Sequence, residues 1–168
     1  IQWSSGNVGK ASIRGICNRS DLELVGLIVS DEKKNGLDAG TISGIDEIGV
    51  LASTNIEEVL SIKADCVNYT PLASLRLGDD PDADKKNILF LLRRGFNVVT
   101  TVGFLYPKAF GEDFEKEIQD ACLEGGSSLH GTGIAPGWLS DLVPLTMSGM
   151  SEEISEVRVT ESSEFSYY

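Results

Sequence analysis

The chain has 168 residues, of which 41% are hydrophobic and 24% charged; 26 acidic side chains against 14 basic ones give a formal net charge of −12. That composition is globular rather than disordered, and the length suffices for one core and the beginning of a second. The negative field repels phosphate backbones and anionic lipid, so neither nucleic acid nor a membrane is an expected partner, whereas one phosphorylated cofactor can still be held by local N–H groups and Lys.

Ile1-Gln2-Trp3 reads as the end of a buried strand, and Ser4 to Lys10 as a glycine-bearing turn that opens a helix. The spacing of Ser4, Gly6 and Gly9 matches a dinucleotide-binding fingerprint with Ser in place of the first glycine. Gly6 would admit a pyrophosphate, Gly9 would let helix and strand pack closely, and the N–H groups of Asn7, Val8 and Gly9 would face the anion. A small residue at position 4 serves this turn if its φ stays negative, and the Ser4 hydroxyl is a further donor.

Val8, Ile13, Ile16 and Cys17 carry the first helix, and residues 22–29, rich in branched apolar side chains, read as the second strand. An acid at the end of that strand binds a ribose 2′-hydroxyl, whereas a hydroxyl with basic residues suits a 2′-phosphate. Asp31 therefore favours NAD, Ser30 and Lys33 favour NADP, and the balance leans slightly to NADP. Residues 31–49 read as a long connection punctuated by glycine.

Thr54 and Glu57 have the spacing of a capping box ahead of a short helix bearing Ile56, Val59 and Leu60. A strand over 64–70 stops at Pro71, and a polar loop with the solvated pair Asp79-Asp80 follows. Ile88, Leu89, Leu91 and Leu92 mark a helix that Gly95 can end with φ > 0. Residues 97–101 form the next strand, and Phe114, Ile118, Ala121 and Cys122 line a helix closed by Gly125-Gly126. A short strand over 127–130 leads into the glycine loop 131–137, then a helix over 138–150 with Pro144 as a kink, and a half-exposed strand over 154–160. Strands alternating with helices indicate an α/β fold: a doubly wound parallel, Rossmann-like sheet with right-handed crossovers and a ligand crevice beyond the carboxyl ends of its strands.

Three loops of this chain are similar to loops of the dihydrodipicolinate reductase family: the first turn, Asn68-Tyr69-Thr70-Pro71, and residues 98–104 with Thr100, Thr101, Gly103 and Phe104. The resemblance spans roughly residues 1–160. Gly131 to Gly137 followed by Trp138 looks more like the related 2,4-diaminopentanoate dehydrogenase and amine dehydrogenase group. The reductase signature of Glu-Leu-His-His with a downstream Lys is kept only at Glu161, which sets the chain apart from lysine-pathway reductases.

The resemblance implies an NAD(P)-dependent oxidoreductase that interconverts a small-molecule amine with an imine or ketone and is a homo-oligomer when full length. It places Thr70, Pro71, Thr101 and Gly103 on the nicotinamide side and uses Gly133 to Ala135 to close the site. A carboxylate could stabilise the iminium and activate water or ammonia. Glu161 is the candidate carried over, with Tyr106, Lys108 and Glu112 also near the expected crevice. The alternative of another class is a nucleotide-sensing module of the same fold without chemistry.

His130 has no partners with metal-ligand spacing and reads as a structural, hydrogen-bonded His, so no metal is expected. Trp3 and Trp138 read as packing residues flanking the crevice, with a wall of the substrate pocket as the alternative for Trp138. Cys17, Cys66 and Cys122 read as buried reduced thiols. No run approaches the ~18 apolar residues of a membrane span and no signal peptide is visible, so the expected location is cytoplasmic. Residues 1–150 are expected to form the NAD(P)-binding domain and residues 151–168 to begin a truncated substrate domain, the chain being read as a fragment that starts inside one strand and stops in another.

Overall fold

In the computed structural model, which describes residues 1–74, 80–162 and 164, six parallel strands form one sheet in the order β3-β2-β1-β4-β5-β6. The strands are β1 (Gln2–Trp3), β2 (Leu27–Ile28), β3 (Ala52–Ser53), β4 (Cys66–Tyr69), β5 (Asn97–Thr100) and β6 (Leu129–Gly131). Strand order reverses between β1 and β4, where Gln2 pairs with Asn68 and Trp3 with Tyr69. A crevice opens at such a reversal because the connections leave toward opposite faces. The doubly wound expectation is met.

Alternation along each strand sorts the core into two layers. Ile1, Trp3, Val67, Tyr69 and Val98 face one side and meet Val59, Ile88, Leu91, Leu92 and Ile118 of helices α3 (Ile56–Leu60), α4 (Ala83–Arg93) and α5 (Glu112–Gly125). Leu27 and Val29 face the other side, with Ile13 of α1 (Asn7–Cys17) and Ala39 of α2 (Ala39–Ser43). Gly95 (φ +85°) and Gly126 (φ +64°) follow the ends of α4 and α5 in the left-handed region, as their spacing predicts.

The elements expected over 22–29 and 31–57 needed correction. Only Leu27 and Ile28 join the ladder, and residues 31–49 contain a 3₁₀ turn (Glu32–Lys34) and α2. Asp38 organises that connection: its carboxylate accepts from the N–H groups of Gly40 at 2.7 Å, Ile48 at 3.1 Å and Gly49 at 2.8 Å. The α3 cap lies one residue later than expected, because Asn55 accepts from the Glu58 N–H at 3.2 Å while the Thr54 N–H is already bonded to Asn35.

Pro144 does not kink a helix. It is the second residue of α6 (Val143–Ser148), into which helical backbone continues from Leu142; the break lies earlier in Ile134–Leu142, where Ala135, Pro136 and Gly137 are non-helical. Residues 154–160 form no strand; they are exposed and pair with none of the six. Asp79 and the Tyr167-Tyr168 end of the expected last strand lie outside the described residues.

Candidate functional site: a crevice at the strand ends

The turn between β1 and α1 departs from expectation at Ser4, whose φ is +83°. The serine takes the left-handed conformation that a glycine would adopt without strain. Gln2 supports it from below: the fully buried Gln2 amide nitrogen donates to the Ser4 carbonyl at 2.9 Å and to Thr70 Oγ1 at 2.7 Å. Gly9 is required by close approach, since a Cβ there would lie 2.2 Å from the Ser4 carbonyl oxygen. Gly6 is different. Its φ is −70°, and a Cβ there would meet nothing nearer than Ser4 Oγ at 3.9 Å.

No side chain caps α1 and no acidic residue lies in its first turn. The first N–H groups of an α-helix have no intrahelical partner, so those of Asn7, Val8 and Gly9 meet the positive end of the helix dipole together. An anion is the complementary ligand for that arrangement.

Beyond β2, Ser30, Asp31 and Lys33 are all exposed. Asp31 folds its carboxylate over the following turn to accept the Lys33 N–H at 3.0 Å. The residue that reaches the first loop is the neighbouring Lys34, whose Nζ lies 3.0 Å from Ser5 Oγ. No sequence signal separated Lys34 from Lys33, because the difference depends on how the 3₁₀ turn aims consecutive side chains.

Beyond β4, the Thr70 hydroxyl is taken up by Gln2, and Pro71 stands at the crevice wall. Asp84, buried at 7% exposure, accepts from the Tyr69 hydroxyl at 2.8 Å and from the Ser74 N–H at 2.6 Å. Asn87 completes the network by donating to the Tyr69 oxygen at 3.0 Å. These groups, with Trp3, Ser4, Ser30 and Pro71, border a crevice of about 530 Å³.

Thr101 and Gly103 (φ +100°) follow β5, half-buried, and Gly133 and the exposed Ala135 follow β6. All four stand past their strand ends, but they do not line the 530 Å³ crevice. Nor do Tyr106, Lys108, Glu112 and Glu161, all exposed. Trp3 is buried against Tyr69, with ring centroids 5.2 Å apart, whereas Trp138 is 54% exposed and is not the packing residue expected.

His130 is also exposed, on the edge strand, beside a second cavity of about 510 Å³ walled by Phe104, Ile118 and Leu129. Its backbone pairs with β5 beside Val99, but among the described residues its imidazole makes no hydrogen bond, contrary to expectation. Cys17 is exposed rather than buried; Cys66 and Cys122 are half-buried, and burial pushes both thiols up, away from the reactive thiolate.

No protein-family model matches the chain. An amine dehydrogenase of Streptomyces virginiae is 34% identical over 173 aligned residues, covering 100% of this chain and 46% of that enzyme. The chain is similar to this amine dehydrogenase along its whole length. A 2,4-diaminopentanoate dehydrogenase of Acetoanaerobium sticklandii is 35% identical over 71 residues, 42% of this chain and 20% of that enzyme. The chain thus spans less than half the length of the relatives it matches.

Among solved structures, an amine dehydrogenase from Mycobacterium smegmatis superposes with a TM-score of 0.74 at 22% identity, over 91% of this chain and 44% of that one. GenD2 from gentamicin A biosynthesis, in complex with NAD, gives a TM-score of 0.55 at 17% identity, over 77% and 33%. These likenesses establish the Rossmann-like fold, and the sequence relatives agree with the group that Gly131 to Trp138 singled out.

Proposed function

We propose that the chain is the coenzyme-binding part of an NAD(P)-dependent oxidoreductase acting on the CH–NH2 carbon of a small-molecule amine, or on the matching imine or ketone. The observation that carries this reading is Gly6: open space stands over it, at an uncapped helix start, where a Cβ would meet only Ser4 Oγ at 3.9 Å. A diphosphate can approach the backbone there and accept from the N–H groups of Asn7, Val8 and Gly9, with the Ser4 hydroxyl as a further donor. The names of both sequence relatives, each an enzyme, weigh against the alternative of a nucleotide-sensing module.

When bound, the nicotinamide supplies or accepts the hydride. The work of this chain is to hold and orient. Ser30 and the turn behind it face the adenosine ribose; Pro71 walls the crevice and the backbone beside Thr70 continues it; Thr101, Gly103, Gly133 and Ala135 flank the nicotinamide half. Glu161, retained from the reductase signature, is the candidate for moving the proton.

Residues 1–150 would form the coenzyme domain and residues 151–168 the start of a substrate domain, in an enzyme that is homo-oligomeric at full length. Free cysteines support a cytoplasmic setting, and among the described residues no helix is long and apolar enough to cross a membrane.

Parallel titration with NADH and NADPH, read by nicotinamide fluorescence, tests the reading. Saturable binding is expected, and it should disappear in Gly6→Val while the fold is retained, because φ at Gly6 suits any residue and no protein atom crowds it. Unchanged titration of that variant, or tighter binding of a mononucleotide, would overturn the assignment.

A further inference from the structure

We infer that Lys34 reads a 2′-phosphate on the adenosine ribose, so that the chain prefers NADP to NAD. This rests on the coenzyme site proposed above and names the residue that sets its selectivity. Three observations carry it. The half-buried Lys34 crosses from the turn after β2 to the phosphate loop, with Nζ 3.0 Å from Ser5 Oγ and 3.4 Å from the Ser5 carbonyl oxygen. Ser5 is only 4% exposed, so the ammonium is steered by a fixed hydroxyl and a fixed carbonyl rather than left to sample solvent.

Second, no carboxylate among the described residues pairs with Lys34, in a chain with 26 acidic side chains. An ammonium has three donors, and two contacts to Ser5 leave one for an anion. Third, one carboxylate oxygen of Asp31, the acid that would accept a ribose 2′-hydroxyl, is held against the turn by the Lys33 N–H at 3.0 Å. Ser30, which lines the crevice that Lys34 itself does not line, offers a neutral hydroxyl at the end of β2. A cation and hydroxyls around the ribose complement a phosphate dianion better than a neutral diol.

The test compares dissociation constants of NADPH and NADH for the wild type, Lys34→Met, Lys34→Arg and Lys33→Met. Lys34→Met should weaken NADPH on the order of 10- to 100-fold, the loss of one charge-assisted hydrogen bond, and leave NADH within about twofold. Lys34→Arg should keep the preference, and Lys33→Met should change neither constant. Equal losses for both coenzymes in Lys34→Met, no loss at all, or a wild type that prefers NADH would overturn the role of Lys34 while leaving the coenzyme site standing. A wild type that binds neither coenzyme would overturn both.

Discussion

The Ser4 carbonyl oxygen and Gly9 approach so closely that a Cβ on Gly9 would lie 2.2 Å from that oxygen, and Ser4 reaches this position only with φ at +83°. The first and last positions of the fingerprint are therefore one steric unit: Ser4 turns its carbonyl inward over α1, and Gly9 yields the space. Gly9→Ala should lower stability by about 1–3 kcal/mol through overpacking against backbone that cannot swing away.

The same unit makes Ser4→Gly tolerable. A left-handed residue with a Cβ costs roughly 1–2 kcal/mol, offset by about 0.5–1 kcal/mol for the extra freedom of Gly in the unfolded chain. Chemical denaturation should find Ser4→Gly equal to the wild type or up to ~1 kcal/mol more stable. Serious destabilisation by Ser4→Gly, or none by Gly9→Ala, would contradict this geometry.

Asp38 links stability to pH. Burial alone would raise its pKa, but the N–H groups of Ile48, Gly40, Gly49 and Thr41 together outweigh burial and hold the carboxyl below its ordinary 3.8. A depressed carboxyl stabilises the fold above its unfolded pKa, and this contribution fades as pH falls through the folded value. Asp38→Asn loses one acceptor and should cost about 1–3 kcal/mol at pH 7. Denaturation at pH 7 and at about pH 3 should show the gap narrowing in acid; a gap that widens in acid would refute it.

Tyr69 carries the opposite sign. Burial, followed by the neighbouring Asp84, pushes its phenol well above the ordinary 10.0, so the hydroxyl remains a donor to Asp84 across the physiological range. Tyr69→Phe keeps a ring against Trp3 but leaves Asp84 Oδ1 unsatisfied, at a cost of about 1–3 kcal/mol. Because the folded pKa is raised, the contribution is complete below the unfolded value and declines as pH climbs past it. Stability measured from pH 6 to 11 should show a constant difference to about pH 9 that shrinks above pH ~10. A difference that grows in alkali would exclude the proposed network.

Where periodicity and chain-local chemistry act together, the sequence was legible. Apolar spacing over Ile88, Leu89, Leu91 and Leu92 located α4, and Gly95 and Gly126 marked the turns after α4 and α5, since helix burial and left-handed backbone both depend on residues within a few positions. The alternation of strands and helices implied the parallel, doubly wound sheet by the same logic. The site was only partly legible: Ser4, Ser30 and Pro71 meet at the crevice, but the roles of Gln2, Asp38 and Asp84 gave no local sign. Each uses a buried polar side chain to join segments distant in sequence, as when Gln2 reaches Thr70.

By itself, then, the order of amino acids determined the layered architecture and the place of the glycine turn between β1 and α1, because hydrophobic period and glycine spacing are short-range properties. Tertiary structure alone decided that Ser4 would hold a left-handed turn and that Lys34, not Lys33, would lie beside it. It also left residues 154–160 without a ladder. Those outcomes depend on which backbone or side chain stands opposite, and packing across the whole sheet sets that opposition.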